Sequence, residues 1–324
     1  MRAAVVTEGG LVVQEVPDPR PAAGEVLVRL RAIGLNRADL GVAAGHRHGS
    51  QGGPGTIPGI EGAGEVIAVG PEVPPHITPG LRVMASMTGS YAELCAVHWG
   101  RLFPVPTSTM PWEVAATLPI ALQTMHDAVV THGLCGPGRS ILIQGASSGV
   151  GLMGLQVARL MGATTVIGTS THAERRARLA AFGATHALDT SDPGWVDQVL
   201  EATGGRGVDA VADMISGPLV SQTLRATAIL GRIVNVGRLG GTVAAFDFDT
   251  HAARRISHIG VTFRTRSASE VAEIVRKARA DLWPALEAGK LALPLDRTYR
   301  LDEVNEALAR MKANQHFGKL ALIP

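Results

Sequence analysis

A chain of 324 residues is long for one hydrophobic core, so we expect two domains or one domain interrupted by another. The formal net charge of +2 gives no reason to expect nucleic acid, although a pI near 8.7 leaves that alternative open. No apolar run reaches the ~20 residues of a membrane helix, and two cysteines, Cys95 and Cys135, are too few for a disulfide framework or a cysteine-rich zinc site. The start, MRAAVVTEGG, shows no export signal, so we expect a cytoplasmic protein without a membrane partner.

The first 120 residues are rich in glycine, proline and short β-type runs, which predicts a compact β-rich domain. Gly9 and Gly10 separate the first two runs and indicate a hairpin. Pro111 is expected to start a helix. The predicted strands cover residues 3–6, 11–16, 26–33, 64–69, 81–86 and 91–97.

Residues 141–161 contain an apolar run, a turn of small residues and a helical pattern, in that order. A strand, glycine turn and helix in sequence form a phosphate-binding device, because the free N–H groups at the helix start point at a pyrophosphate. We therefore predict cofactor contacts at Ser148, Gly149 and Val150. Many dinucleotide folds have glycine where Ser148 stands, so the backbone there must tolerate a Cβ.

From about residue 121 the chain alternates strands and helices, which is typical of a parallel sheet. Further strands are predicted at 164–168, 186–189, 208–215, 232–237 and 259–263, with helices at 173–182, closed by Gly183, and 219–226. The pattern predicts an α/β chain with a doubly wound parallel sheet over residues 121–262, between β-rich segments at 1–120 and 263–324.

The tail is expected to return to the β-rich domain. Ser267 and Glu270 form a capping-box pattern that opens a helix to about residue 280. A further turn at 284–288, an extended stretch at 291–299, a helix at 301–312 and a strand at 319–323 follow.

Several stretches resemble the medium-chain dehydrogenase/reductase superfamily, and within it the zinc-independent quinone oxidoreductases of the zeta-crystallin type. They are GLNRADL, PGIEGAGEVIAVG, GSYAELCAV, LPIALQT, GASSGVG, GGRGVDAVADMISG, GRIVNVG and FGKLAL, in family order along nearly the whole chain. The resemblance implies a GroES-like catalytic domain built from both chain ends, an inserted Rossmann domain and a substrate cleft where they meet.

The resemblance also bears on zinc. Zinc-dependent relatives have a cysteine at the position matching Asn36 and a histidine at the position matching Ile60, just before the glutamate matching Glu61. Asparagine and isoleucine do not supply the thiolate or imidazole that zinc needs, so we predict no metal. His46 and His48 lie close together in a glycine-rich loop, and a pair of that kind either binds metal or faces solvent or substrate.

The end of the second Rossmann strand indicates the cofactor. An NAD-selective fold places an acidic residue there to hold the ribose hydroxyls. This chain has Thr169 and Ser170 instead, followed by Arg175, which matches a phosphate-binding lysine of the family. Hydroxyls and arginine suit a 2′-phosphate, so we predict NADPH. Arg176 and Arg178 are also explained as solvated residues of a helix face.

The resemblance assigns Asn36, Thr124, Val236 and Gly237 to the nicotinamide end of the cofactor, and Gly318 to the same cofactor-contacting set. Two alternatives remain: Asn36 caps a turn, or Thr124 is a hydroxyl inside a helix. Asp39 is either part of the site or a structural partner of an arginine.

The chemistry that follows is hydride transfer from NADPH to a quinone, with Asn36 donating a hydrogen bond to the acceptor. The first alternative is reduction of the carbon–carbon double bond of an enone or enal. The second is a non-catalytic NADPH-binding protein with a structural or RNA-binding role. The proton donor stays unassigned, because Tyr91 and Tyr299 are expected to pack in the core and solvent is a sufficient source.

Two further expectations concern surfaces. The glycine-rich residues 41–53 form either a mobile lid or an ordinary loop. The last Rossmann strand is predicted to be apolar and to lie at the sheet edge, where pairing with a second copy covers it, so we expect a homodimer.

Overall fold

The computed structural model describes residues 1–47, 52–106 and 110–324. The chain folds into two compact units. The first unit contains Met1–Ile120 and Phe263–Pro324, and the second contains Ala121–Thr262. The predicted helix start at Pro111 lies in the first unit, where Pro111 is the N-cap of a short helix.

The elements of both units follow in chain order. The strands are β1 Arg2–Thr7, β2 Gly10–Glu15, β3 Glu25–Gly34, β4 Glu61–Val69, β5 Arg82–Ser86, β6 Leu94–His98, β7 Leu102–Pro104, β8 Ser140–Gln144, β9 Thr165–Thr169, β10 His186–Leu188, β11 Val208–Asp213, β12 Thr227–Asn235, β13 Ser257–Gly260, β14 Leu295–Arg300 and β15 Lys319–Ile323. The α-helices are α1 Arg37–Ala43, α2 Trp112–Ala115, α3 Pro119–Met125, α4 Gly149–Leu160, α5 Ala173–Ala177, α6 Trp195–Ala202, α7 Val220–Ala226, α8 Phe248–Arg254, α9 Ala268–Glu287 and α10 Val304–Lys312.

The first unit is built on a seven-stranded sheet that joins both ends of the chain. Its order is β14-β15-β3-β4-β5-β7, with β6 also paired to β3, and β1 and β2 form a separate hairpin. Val26, Val28 and Leu30 of β3 alternate with more exposed residues and pack into a core that includes Tyr91 and Tyr299. The period of two fits a sheet with one buried face. The hairpin turn at Gly10, where φ is +110°, confirms the expected hairpin.

The second unit is a six-stranded parallel sheet in the order β10-β9-β8-β11-β12-β13. The central strand β8 is buried along its whole length, as its run of apolar residues predicts. Strand order reverses between β8 and β11. In a doubly wound sheet ligands bind beyond the carboxyl ends of the strands at such a reversal. The predicted Rossmann fold is confirmed.

One predicted strand is wrong in place and character. β13 runs from Ser257 to Gly260, so it begins two residues and ends three residues earlier than expected, because Arg255 ends α8 in a left-handed conformation and the chain leaves the helix at Ile256. It lies at the edge of the sheet, as expected. However, Ser257 and His258 are exposed, so the strand is not the apolar edge that the sequence suggested.

Several helices also differ from expectation. Helices α1, α6 and α8 were not among the predicted elements. The predicted helix at 173–182 is α5 followed by a 3₁₀ turn, although Gly183 closes it with φ +102° as expected. The expected turn at 284–288 belongs to α9, which continues through Pro284 because Leu282, Ala285 and Leu286 are buried. The capping box of Ser267 is confirmed.

No helix within the described ranges combines the length and the apolar character needed to cross a membrane.

Candidate functional site

The loop between β8 and α4 has the geometry of a phosphate-binding turn. Gly145 has φ +74°, which favours glycine, and a Cβ on Gly151 would lie 2.6 Å from the Gly145 carbonyl oxygen. Ser148 has an ordinary extended backbone, so its Cβ costs nothing. Its Oγ accepts the Gly151 N–H at 3.1 Å and donates to the Gly145 oxygen at 2.9 Å. Ser148 is therefore the N-cap of α4, directly before Gly149 and Val150.

Residues at the end of β9 form hydrogen bonds with this loop. Thr169 is buried, and its Oγ1 accepts the Gly145 N–H at 3.1 Å. The Ser170 hydroxyl lies 3.1 Å from the Ser147 hydroxyl. Arg175 is half-buried on α5. Arg176 is a structural residue and not merely solvated, because it donates to the Ser170 carbonyl and to Asp189, each at 2.8 Å.

Val236 and Gly237 directly follow β12, where their N–H groups both donate to the Asp213 carbonyl oxygen, at 2.7 and 3.0 Å. The neighbouring Ser216 has φ +56° and ψ −144°, a conformation that only glycine adopts without strain. Its Oγ lies 2.9 Å from the Gly237 carbonyl oxygen and also receives a hydrogen bond from Asn235. We call Asp213, Ser216, Asn235 and Gly237 the strained loop.

The buried Asp213 carboxylate organises the strained loop. Its Oδ1 accepts the N–H groups of Ile215 and Ser216 at 2.8 and 2.9 Å. Burial raises the pKa of Asp213, and these two main-chain hydrogen bonds oppose that rise.

Thr124 lies on α3 and is half-buried, between the fully buried residues Gln123 and Met125. The structure is thus compatible with both roles weighed for it, a cofactor contact or a helix-interior hydroxyl.

Asn36, Glu61 and Lys319 form a buried group in the first unit, which we call the charged cluster. The three residues are 7%, 0% and 4% exposed. Lys319 Nζ donates to Asn36 Oδ1 at 2.8 Å and to Glu61 Oε1 at 2.6 Å. Asn36 Nδ2 donates to Glu61 Oε1 at 2.8 Å, and the Ile120 N–H donates to Glu61 Oε2 at 2.9 Å. The Asn36 side chain is therefore engaged by two charged neighbours, which the sequence did not predict.

Asn36 is also the N-cap residue of α1. Its place in the chain therefore also fits the alternative that it caps a turn. Its main-chain N–H donates to Asp39 Oδ2 at 2.8 Å. Tyr91, fully buried, donates its hydroxyl to the same oxygen at 2.9 Å. These two partners take the place of the arginine that was one of the two alternatives for Asp39. Burial raises the pKa of Asp39 to about 7, against the lowering effect of the Asn36 and Tyr91 hydrogen bonds.

The donor set of the charged cluster does not fit zinc. Zinc in proteins is held by thiolate, imidazole and carboxylate ligands. Glu61 is the sole residue of that type in the cluster, and an ammonium already neutralises it. In the ranges that the structure covers, no three His, Cys, Asp or Glu side chains are grouped to hold a metal ion. His46 is exposed, and His48 lies outside the described residues.

Gly318 precedes Lys319 and has a structural requirement of its own. Its φ is +87°, and a Cβ there would lie 2.2 Å from the Pro294 carbonyl oxygen. Glycine is therefore required at this position whether or not it contacts a cofactor.

Lys319 and Ser216 were not among the residues that the sequence predicted for these sites. The sequence does contain a clue to Lys319, because a lysine at the start of the apolar run KLALI needs a partner of opposite charge if it is buried. Glu61, which interrupts another apolar stretch, could have been identified as that partner. The sequence contains no such clue to Ser216, since its strain depends on where β11 and β12 place the loop.

Two family models match the chain. A model described as alcohol dehydrogenase GroES-like domain covers residues 22–107, and one described as zinc-binding dehydrogenase covers residues 149–279. The first model lies within the first unit, and the second covers residues 149–262 of the second unit and 263–279 of the first.

Curated relatives include much longer proteins. The hybrid PKS-NRPS synthetase pyvA of Aspergillus violaceofuscus is 34% identical over 238 residues, which cover 70% of this chain and 6% of that protein. The synaptic vesicle membrane protein VAT-1 homolog of Danio rerio is 27% identical over 324 residues, 95% of this chain and 66% of that protein. The chain thus spans less than two thirds of the length of these relatives.

Solved structures match over the whole chain. A mycobacterial quinone oxidoreductase has a TM-score of 0.88 at 28% identity, with 100% of both chains covered. The mycobacterial protein Rv1454c complexed with NADPH gives the same values. An NAD-dependent alcohol dehydrogenase has a TM-score of 0.83 at 28% identity, again with 100% of both chains covered. The family models and the shared architecture show that this chain belongs to the medium-chain dehydrogenase/reductase superfamily.

Proposed function

We propose that this chain is an NADPH-dependent oxidoreductase that transfers hydride to quinones without a metal. The observation that carries the proposal is the Asn36 amide, which Lys319 and Glu61 hold in a buried cluster lacking a set of zinc ligands. A fixed amide offers a hydrogen bond to a carbonyl oxygen, and such a donor stabilises the negative charge that develops there.

The second unit supplies the cofactor site in this proposal. The N–H groups of Gly149 and Val150 at the start of α4 bind the pyrophosphate, with Ser148 capping the helix. Ser170 and Arg175 contact the 2′-phosphate, while Thr169 supports the loop from within. Thr124, Val236 and Gly237 complete the proposed contacts of this unit, and Gly318 of the first unit is a further proposed cofactor contact. The similarity to a mycobacterial protein complexed with NADPH supports this choice of cofactor.

When bound, NADPH supplies a hydride, which carries two electrons and one hydrogen nucleus, to the acceptor. A quinone that takes the hydride and then one proton from water becomes a hydroquinone, which balances atoms and charge. Asn36 donates to the acceptor oxygen as its charge grows. The buried residues around the charged cluster exclude water from it, which strengthens that hydrogen bond.

Reduction of an enone or enal is the second candidate. A double bond conjugated to a carbonyl presents the same oxygen to Asn36, so the charged cluster suits both acceptors. A non-catalytic role in NADPH binding remains the third candidate, with no nucleic acid expected as a partner. Binding of NADPH without its oxidation by any acceptor is the result that would favour it.

The first experiment follows NADPH oxidation with 1,4-benzoquinone or 9,10-phenanthrenequinone, beside a conjugated enone, each with and without a chelator. We expect turnover of the quinones that the chelator leaves unchanged. Turnover of the enone alone would support the second candidate, and loss of activity with chelator would contradict the metal-independent mechanism.

The choice of NADPH as cofactor is tested with Arg175→Ala. The control is Arg178→Ala, at an exposed arginine that ends the same helix. Loss of a charge-assisted hydrogen bond to the 2′-phosphate should raise the KM for NADPH by about tenfold or more and leave that for NADH nearly unchanged. A wild-type preference for NADH at equal concentration would contradict the NADPH assignment.

A homodimer is part of the proposal. The edge strand β13 offers main-chain groups for pairing with a second copy across a two-fold axis. Its exposed Ser257 and His258 make this edge more polar than the sequence suggested. Sedimentation at micromolar concentration should give a dimer, and a monomer alone would contradict this part.

A further inference from the structure

The orientation of the Asn36 amide is fixed by two neighbours of opposite chemistry. The ammonium of Lys319 only donates hydrogen bonds, so the amide atom 2.8 Å from it is the oxygen, Oδ1. The carboxylate of Glu61 accepts them, so the amide atom 2.8 Å from Oε1 is the nitrogen, Nδ2. The inverted amide would place N–H groups against the ammonium and an oxygen against the carboxylate.

Both neighbours are held by the main chain. Glu61 Oε2 accepts the Ile120 N–H at 2.9 Å. Lys319 stands at the start of β15, and its own N–H donates to the Pro294 carbonyl oxygen at 2.9 Å. The Lys319 and Glu61 side chains are 5% and 0% exposed, so water does not substitute for either partner.

Asn36 Nδ2 carries two N–H groups, and one of them is used by Glu61. Oδ1 is used by Lys319. Within the described part of the chain, Nδ2 makes no hydrogen bond besides the one to Glu61. The amide therefore has a donor left to offer, and its acceptor is already engaged by a cation.

We propose that Lys319 and Glu61 are positioning residues that fix the Asn36 amide as a hydrogen-bond donor and thereby select acceptors that present a carbonyl oxygen. The inference rests on the proposed function and names the residues that set the polarity of its site. The Lys319–Glu61 ion pair acts through Asn36 and does not touch the acceptor itself.

The test uses the full chain and compares Lys319→Met with the double variant Glu61→Gln/Lys319→Met. The single variant leaves the Glu61 charge buried without its partner, which destabilises the fold. The double variant removes both charges of the ion pair, so neither is left buried without its partner. The amide oxygen introduced at position 61 must accept the Ile120 N–H, so the new amide nitrogen faces Asn36 and draws Oδ1 towards it, which inverts the Asn36 amide.

The double variant should recover the stability lost by the single variant, as measured by urea unfolding. Its kcat with 1,4-benzoquinone should nevertheless stay lower than wild type by on the order of 100-fold, because a lost oxyanion donor costs about that much. A merely structural ion pair predicts instead that stability and kcat recover together. That joint recovery would overturn the proposal.

The control is the exposed pair on α9, Glu273 and Lys277, which are 3.7 Å apart. Glu273→Gln/Lys277→Met makes the same two kinds of substitution, removing one carboxylate and one ammonium, and should leave kcat unchanged. The outcomes separate the two levels of inference. A wild-type protein that reduces neither quinones nor enones contradicts the proposed function. A wild-type enzyme whose Glu61→Gln/Lys319→Met variant is fully active contradicts the positioning role alone.

Discussion

The charged cluster of the first unit is held by an ion pair, whereas the strained loop of the second unit is held mostly by hydrogen bonds to the main chain. In the charged cluster an ammonium and a carboxylate fix a neutral amide. In the strained loop, Asp213 accepts two main-chain N–H groups, and Ser216 and Asn235 hold the Gly237 carbonyl oxygen.

The difference teaches which changes each region tolerates. Neutralising one partner of a buried ion pair lowers the stability of the fold, because the remaining charge is buried without a partner in a medium of low dielectric constant. A loop fixed by main-chain bonds depends instead on its backbone conformation, and strain is stored where a residue with a Cβ adopts a glycine conformation. Charge substitutions should therefore disturb the charged cluster, and glycine or alanine substitutions the strained loop.

The largest effect on stability is expected for Lys319→Met. Removal of one partner of a buried pair costs about 3–5 kcal/mol, because Glu61 is left charged and fully buried. Urea unfolding measures the change. Lys277→Met, at an exposed lysine, should change stability by no more than about 0.5 kcal/mol. Equal effects in the two variants would show that charge does not hold the cluster.

Asp39 should make the stability of the first unit depend on pH. Its pKa of about 7 in the folded chain lies above the usual 3.8, so the folded chain binds a proton that the unfolded chain has released between these values. The stability contributed by the neutral carboxyl is thus fully present below about pH 4 and is lost as pH rises through 7.

Asp39→Asn should flatten this dependence, because an amide does not ionise. Between pH 4 and pH 8 the wild type should lose on the order of 4 kcal/mol more stability than the variant. Urea unfolding at several pH values measures the slope, with the exposed Glu287→Gln as a control that keeps the wild-type slope. Parallel slopes for wild type and Asp39→Asn would contradict the assignment.

The smallest effect concerns the strained loop. Ser216→Gly and Ser216→Ala both remove the hydroxyl, but glycine alone relieves the φ of +56°. The glycine variant should therefore be the more stable of the two by about 1–3 kcal/mol. The matched control is Ser221 in the helix α7, where alanine should be more stable than glycine by about 1 kcal/mol. The same order at both positions would remove the case for strain.

Local patterns predicted much of the fold. The apolar run of β8, the small residues after it and the helical spacing of α4 are close in sequence, so their conformations follow from short-range preferences. Ser267 predicted the start of α9 for the same reason. The ends of β13 and α9 were wrong, because the left-handed Arg255 and the burial around Pro284 depend on packing with distant residues.

The sequence by itself determined the parallel sheet, the glycine loop and the absence of cysteine and histidine at the positions that match zinc ligands in relatives. The tertiary structure alone decided how Asn36 is used. Its partners lie 25 and 283 residues away along the chain, and only the antiparallel pairing of β15 and β4 with β3 brings them together. A hydrogen bond between such distant residues leaves no local pattern, because its geometry exists once the sheet has formed.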